Sequence, residues 1–165
     1  MPALSSIYLS MTGFRSSAPI QYREFPEAAS QSFKKGMWVT LNSSGQVAIF
    51  AAADANLAST GDVLVGIAQE NASGTTNTMI TVALFDGVME AIVPVFHSTP
   101  ASAVTAETLR GEIFVARNVG GVPFVNIETT TNPVLTITDL MRDEAVGSAY
   151  GFVAVRPIAA ERLTA

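Results

Sequence analysis

The run Met79-Ile80-Thr81-Val82-Ala83-Leu84-Phe85-Asp86-Gly87-Val88-Met89-Glu90-Ala91-Ile92-Val93-Pro94-Val95 decides the fold class. On each side of Asp86-Gly87 the residues are strand formers with turn chemistry between them. Asp-Gly suits the two positive-φ positions of a type I′ turn, so residues 79–85 and 88–95 are expected to form a hairpin. Both strands are apolar on both faces. Ile80, Val82 and Leu84 line one side and Met79, Ala83 and Phe85 the other, while Met89, Ala91, Val93 and Val95 oppose Val88, Glu90 and Ile92. A solvated antiparallel sheet shows one polar face. Two apolar faces require a second cover: another sheet layer, the N-terminal segment, or another subunit. Soluble monomers rarely expose such patches, so an oligomer is expected.

Outward from this run, the turn signals recur at strand spacing. Residues 37–41 place Val39 and Leu41 on one face and Trp38 and Thr40 on the other. Asn42-Ser43-Ser44-Gly45 makes a turn, and residues 46–50 return. Val65-Gly66-Ile67-Ala68 reads as a short buried strand within 63–70. Residues 112–117 and 122–127 flank Asn118-Val119-Gly120-Gly121 as a further hairpin, with Asn118 and Asn77 read as turn residues, and a last strand is expected at 150–156. Helix is scarce: Asp139 is positioned to cap a short helix through Ala145, and one helical turn fits 105–109. Turns come too often for βαβ units. The expected fold is mainly β, a small β-sandwich or β-barrel.

Residues 1–32 differ from this body, residues 33–165. Ser, Ala, Pro and Gln dominate, and Tyr8, Phe14, Tyr22 and Phe25 are spaced irregularly, with neither a helical nor a strand period sustained. The segment reads as an extended N-terminal arm that cannot form its own core and must be held by its own body or by a partner. Ordering it costs about 1–2 kcal/mol of backbone entropy per residue. Isolated aromatics in such a segment suit anchoring in a partner's pockets. Tyr8, Phe14, Tyr22 and Phe25 are therefore the candidate anchors, with Arg15 and Arg23 pairing acidic groups beside them.

Charge narrows the function classes. Of 165 residues only 14% are charged, against 48% hydrophobic, and the net charge is −5. Residues 1–35 carry Arg15, Arg23, Lys34 and Lys35 against Glu24 and Glu27, a net of +2. Residues 36–109 hold no Lys or Arg, and Asp54, Asp62, Glu70, Asp86, Glu90 and Glu107 give −6. The remainder is −1, from five Arg against six acids. So acidic a body repels phosphate backbones, which argues against nucleic acid. A basic N-terminal segment could complement the body of a neighbouring copy. Cysteine is absent, removing disulfides and thiolate metal sites. The N-terminus lacks the basic-then-apolar layout of a signal peptide, and no apolar run approaches the roughly 20 residues of a membrane span.

Catalytic constellations are sparse. His97 is the one histidine, at the end of a strand, and no Gly-x-Ser-x-Gly elbow, Walker loop or dinucleotide-binding glycine pattern occurs. Asp139, Asp143 and Glu144 read as a solvated helical face. The loop from Asp54 to Asp62 lacks the alternating ligands of a calcium loop. No catalytic, cofactor or metal residue is assigned.

From Phe33 to about Val95 the chain resembles the capsid decoration, or cement, proteins of tailed bacteriophages. The resembling residues are Phe33-Lys34-Lys35-Gly36 leading into Val39, then Gly45-x-Val47 and an Ala-rich link. Val65-Gly66-Ile67-Ala68-Gln69, Thr81-Val82 and the turn glycine Gly87 complete the order. Where the family carries a glycine–charged turn, Gly74-Thr75-Thr76-Asn77 stands instead, and nothing beyond residue 100 takes part. The resemblance implies a β-tulip-like domain, a homotrimer, and binding to the outer surface of the assembled head. There it would bridge major capsid protein subunits, as a virion component made in the host cytoplasm. Other readings of the same residues are a tail, connector or fibre-associated β-protein, or a small-ligand-binding β-barrel.

Overall fold

In the computed structural model the described residues are 13–16, 18–51, 63–85, 87, 89–103, 105–131, 133–141, 147 and 149–158. They form a mainly β structure with strands β1 (Gly13–Ser16), β2 (Tyr22–Pro26), β3 (Trp38–Leu41), β4 (Val47–Ile49), β5 (Val63–Ala68) and β6 (Met79–Leu84). β7 (Met89–Phe96), β8 (Ile113–Val119), β9 (Val122–Asn126), β10 (Leu135–Leu140) and β11 (Phe152–Pro157) follow. Two single 3-10 turns, Pro100–Ser102 and Glu107–Leu109, are the helical elements among these residues, and the second falls on the expected helical turn.

The strands make two sheets. One runs β2-β6-β5-β3-β4, and an isolated parallel bridge between Glu27 and Val47 brings the end of β2 back to β4. The other runs β1-β7-β11-β10-β8-β9, and a parallel pairing of β9 with β7 closes its last five strands into a ring. Cross-strand partners share a face of the sheet. By register Ala91, Val93 and Val95 of β7 therefore face the same way as Val153, Val155, Ile137, Leu135, Phe114, Ala116 and Val125. All belong to one buried cluster. Trp38, Phe50, Leu64, Ile67, Ala83 and Phe85 from the other sheet complete it. A second cluster, Phe25, Phe33, Met37, Val39, Val47, Val65, Ala68, Ile80, Val82 and Leu84, fills the opposite face of the β2–β6 sheet.

Strand β6 therefore has one face buried, through Ile80, Val82 and Leu84 in the second cluster, and the other buried at Ala83 in the first, with Met79 exposed at its start. A sheet layer and the chain's own segment 25–37 supply the cover that the two-sided apolar pattern demanded. That pattern makes no call on a partner.

The expected hairpin across Asp86-Gly87 does not form. β6 pairs with β2 and β5, β7 with β1, β11 and β9, so the turn carries the chain from one sheet to the other. Asp86 lies outside the described residues. The sequence signal for a hairpin is local alternation with a turn, and a sheet-to-sheet crossover satisfies it equally. The Gly120-Gly121 turn is a true hairpin: Val119 pairs with Val122, and the glycines take φ of 59° and 90°, both positive as a two-residue primed turn needs. β3 and β4 form the hairpin expected around Asn42, whose Oδ1 accepts from the Ser44 and Gln46 amides at 3.0 and 2.9 Å.

Two strands carry bulges that break period two. Val65 is skipped between Val39↔Gly66 and Thr40↔Leu64, so Leu64 and Ile67 reach the same cluster. A Cβ at Gly66 would fall 1.9 Å from the Ala83 carbonyl oxygen, so only glycine lets β5 lie against β6 there. Thr138 is the extra residue in β10, which puts both Ile137 and Leu140 in the core. Asp139 is thus a strand residue and not a helix cap. Its carboxylate Oδ1 accepts the Leu140 amide at 3.0 Å, and residues 142–146, the rest of the expected helix, lie outside the described residues.

Candidate interaction surface

The segment read as an arm enters both sheets from 13 onward. β1 is the edge strand of the six-stranded sheet and β2 the edge strand of the five-stranded one. Their link, residues 17–21, spans at most about 20 Å, so one flank of the molecule carries both edges.

The candidate anchors separate on this flank. Tyr8 lies outside the described residues. Phe14 is half-buried and packs against the main cluster. Phe25 is 7% exposed and belongs to the second cluster of its own subunit. Arg23 is exposed, its guanidinium 5.4 Å from the Phe25 ring centroid. Tyr22 stands out at 55% exposure, followed by Met79 at 49% and Ile113 at 39%. Tyr22↔Ala83 and Pro26↔Met79 are cross-strand pairs, so Tyr22, Glu24 and Met79 share the face of the β2–β6 sheet that farther along bears Ala83. There it extends beyond the cover of the main cluster.

Arg15 finds its acid partners within the subunit. Its Nε donates to Glu90 Oε2 at 2.6 Å and its Nη1 to Asp139 Oδ2 at 3.2 Å. Arg156 holds the other Glu90 oxygen through Nε and Nη2 at 2.9 and 2.8 Å. Arg110 bridges Asp139 at 3.2 Å and Glu107 at 2.7 Å. Arg15, Glu90, Arg156 and Thr136 form one row across β1, β7, β11 and β10, set by the register of those strands. Burial pushes the Glu90 carboxyl up, but hydrogen bonds from Arg15, Arg156 and Thr138 outweigh it and hold it below the usual carboxylate range. Hydrogen bonding from Arg15 likewise lowers Asp139, against a smaller opposing effect of burial. The network was not anticipated. Its signal was a lone acid, Glu90, in the middle of an apolar strand, which burial obliges to find cations.

Glu27 is a second buried acid, fully inaccessible, and it pins the 71–78 loop. Its Oε2 accepts from Ser73 Oγ at 2.6 Å and the Ser73 amide at 2.9 Å, and its Oε1 from the Gly74 amide at 2.7 Å. Burial raises this carboxyl, and those three hydrogen bonds more than offset it.

Between the sheets a cleft of about 300 Å³ is walled by Phe14 of β1, Ile67 and Ala68 of β5 and Pro123 of β9, with Lys35 and Gln69 among its polar lining. Asn118, expected as a turn residue, is a β8 residue that joins the sheets. Its Oδ1 accepts the Trp38 amide, and its Nδ2 donates to the carbonyls of Trp38 and Phe50, each at 2.9 Å.

At the far end of β7, His97 Nδ1 accepts the Thr99 amide at 3.0 Å. The Ser98 hydroxyl donates to Glu128 at 2.5 Å and not to the histidine. Arg117 lies 4.1 Å over the Phe96 ring. Among the described residues no three His, Asp or Glu gather as a metal site. Asp54, Asp62, Asp143 and Glu144 lie outside the described residues. Among the described residues no helix is long and apolar enough to cross a membrane. No protein-family model, curated protein or solved structure matches this chain.

Proposed function

We propose that this chain is a non-catalytic capsid decoration protein that binds the outer surface of an assembled tailed-phage head as a homotrimer. It stabilises the head by bridging major capsid protein subunits. The observation that carries the reading is where the resembling residues fall. Phe33, Val39, Val47, Val65, Ala68 and Val82 are dispersed over fifty residues of sequence, yet all sit in the second buried cluster. Their sharing of one cluster supports the resemblance as a single small β-domain, with Ile67 of the same run turned into the other cluster.

The flank formed by β1 and β2 suits contact with a capsid surface. It offers two strand edges, the exposed Tyr22 ring and the exposed Arg23 and Glu24 charges. Repetition over symmetric sites makes modest contacts cumulative. The ion-pair row on the outer face of β7, β10 and β11 presents polar groups, and is the face expected to stay wet.

The test is cosedimentation with expanded, undecorated heads built from the major capsid protein of the same virus. The wild-type chain binds saturably and raises the temperature at which heads disrupt. Tyr22→Ala with Arg23→Ala weakens binding at least ~10-fold, the size of an interface hot spot, while the chain's own thermal midpoint stays put. No binding by the wild-type chain at micromolar concentration overturns the proposal.

A further inference from the structure

We propose that β1 is a releasable strap: its four residues detach from β7 while the rest of the fold stays intact. Release bares the β7 edge at residues 89–92 and opens the cleft between the sheets on the side that Phe14 walls. The inference is independent of the capsid reading above.

Among the described residues β1 is held far more weakly than β2, the other edge strand of its flank. None of its residues is buried, it pairs with β7 alone, and Phe14 is its one contact with the main cluster. β2 is anchored by the buried Phe25 and followed at once by Glu27, whose three hydrogen bonds fix the 71–78 loop. The chain is secured again just before β2. There Ile20 packs on the main cluster and the Gln21 carbonyl accepts the Leu84 amide at 2.9 Å. Between Ser16 and Ile20, Ala18 and Pro19 are exposed, so a swing of β1 about them disturbs no core contact at the hinge. Short segments with few buried apolar contacts are those that open locally, well below the cost of global unfolding.

The ion pairs of β1 are arranged so that release strands no charge. Arg15 takes Glu90 Oε2 at 2.6 Å and Asp139 Oδ2 at 3.2 Å. The body supplies each acid with a second guanidinium through its other oxygen. Arg156 donates twice to Glu90 Oε1, at 2.9 and 2.8 Å, and Arg110 reaches Asp139 Oδ1 at 3.2 Å. The oxygens set free when β1 leaves are therefore the two that faced it, and water enters the vacated place. Removing one partner of a buried pair is ordinarily costly because the other charge is left alone. Here Arg156 and Arg110 stay behind with the acids. Arg15 and Arg156 are also like charges on a single carboxylate, so each weakens the other's hold.

Hydrogen exchange followed by NMR on the full chain tests the strap. The amides that join β1 to β7 are expected to exchange at least ~100-fold faster than those that join β7 to β11. The opening should be insensitive to low urea concentrations, because it exposes little surface. Raising salt from about 0.05 to 1 M should make it more frequent, since the pairs of Arg15 are partly exposed. Arg15→Gln should make it at least about 2-fold more frequent, the scale of a partly exposed pair. Arg156→Gln should act in the opposite sense. It leaves Arg15 as the guanidinium on Glu90 among the described residues, and the opening becomes at least about 2-fold rarer even where the global thermal midpoint falls. Plain fraying of a loosely packed strand predicts no such decrease. Exchange of the β1 amides only through global unfolding overturns the proposal, as does an Arg156→Gln chain whose β1 opens as often as in the wild type or more often.

Discussion

Replacing Asn118 with Ala removes the side chain that stitches β8 to the β3–β4 hairpin while leaving every apolar contact of the core nearly intact. Three hydrogen bonds go together: one accepted from the Trp38 amide, two donated to the Trp38 and Phe50 carbonyls. Each is worth about 1 kcal/mol net, and leaving a buried amide unsatisfied adds to that. Trp38 is fully buried, so its amide has little access to replacement water. The expected loss is about 3 kcal/mol. For a domain of this size that corresponds to a fall of roughly 6–12 °C in thermal midpoint. In urea it is a fall of ~1–2 M in the transition midpoint with an unchanged slope. Asn118→Asp is the sharper probe. It preserves the acceptor for the Trp38 amide but sets a carboxylate oxygen 2.9 Å from two carbonyls, where the native amide donates. It should destabilise more than Ala at pH 7 and recover partly on acidification, when the carboxyl gains a proton to donate. An Ala variant within about 0.5 kcal/mol of wild type would refute the reasoning, because it would mean the sheets are held by apolar packing and the Trp38 Nε1–Phe124 carbonyl bond at 3.0 Å, with little from Asn118.

Gly66→Ala is expected to abolish folding or lower the midpoint by more than Asn118→Ala. The added methyl meets the Ala83 carbonyl at 1.9 Å, and β5 would have to part from β6 to admit it; circular dichroism melts decide this, and a midpoint within 2–3 °C of wild type (about 1 kcal/mol or less) counts against the close approach. For Glu90, the folded pKa lies below its unfolded value, so the carboxylate contributes stability that is fully present above about pH 4.5 and is lost as pH falls through the folded pKa. Glu90→Gln should therefore cost about 2 kcal/mol at pH 7, the low end for charged hydrogen bonds because both guanidiniums are nearly half exposed. The gap between variant and wild type should narrow as pH falls below about 4.5 and through the lowered folded pKa, and a gap independent of pH in urea titrations would dismiss the ion-pair row as a source of stability.

Strand identity was legible where period two held. The residue pattern placed β3, β4, β8, β9 and β11 within a residue or two, because each carries an apolar face and is bounded by Gly or Asn turns, and it placed β5 despite its bulge because that strand is apolar on both faces. β10 was lost to its bulge. With Ile137 and Leu140 three apart on one face, the spacing imitates a helix, and Asp139 then looks like a cap. β1 and β2 were lost for another reason: as edge strands they bury only alternate residues against a single neighbour, so Phe25 of β2 is apolar and Tyr22, Arg23 and Glu24 are not. Pairing was less legible than identity. Nothing local to Asp86-Gly87 distinguishes a hairpin from a crossover, since the difference lies in which distant strands, β5 and β11 among them, occupy the neighbouring edges. Of the residues singled out by type for the surface, Tyr22 and Arg23 are exposed, while Phe25 is buried in its own subunit. The Arg15–Glu90–Arg156 row and the cleft arise only when strands far apart in sequence become neighbours.

With the apolar faces largely covered within the subunit, the partner contacts proposed above would fall to the strand edges, and the edges carry their own restrictions. Antiparallel pairing of β2 with β2 of a second copy about a two-fold axis must match residues whose numbers sum to an even value, or the side chains would point to opposite faces. The register that uses the whole strand sets Glu24 against Glu24 of the second copy. The next on one side sets Arg23 against Arg23, and the next on the other centres on the buried Phe25 with Pro26 inside the pairing. Like charges directly opposite destabilise a sheet, and Pro26 removes one amide from the strand. The exposed edge is thus guarded against zipping to itself, as edge strands in soluble proteins commonly are. A two-fold dimer through β2 is disfavoured, whereas a contact between unlike surfaces carries no such conflict. The homotrimer proposed above needs no two-fold pairing of β2, so the restriction on this edge does not stand against it.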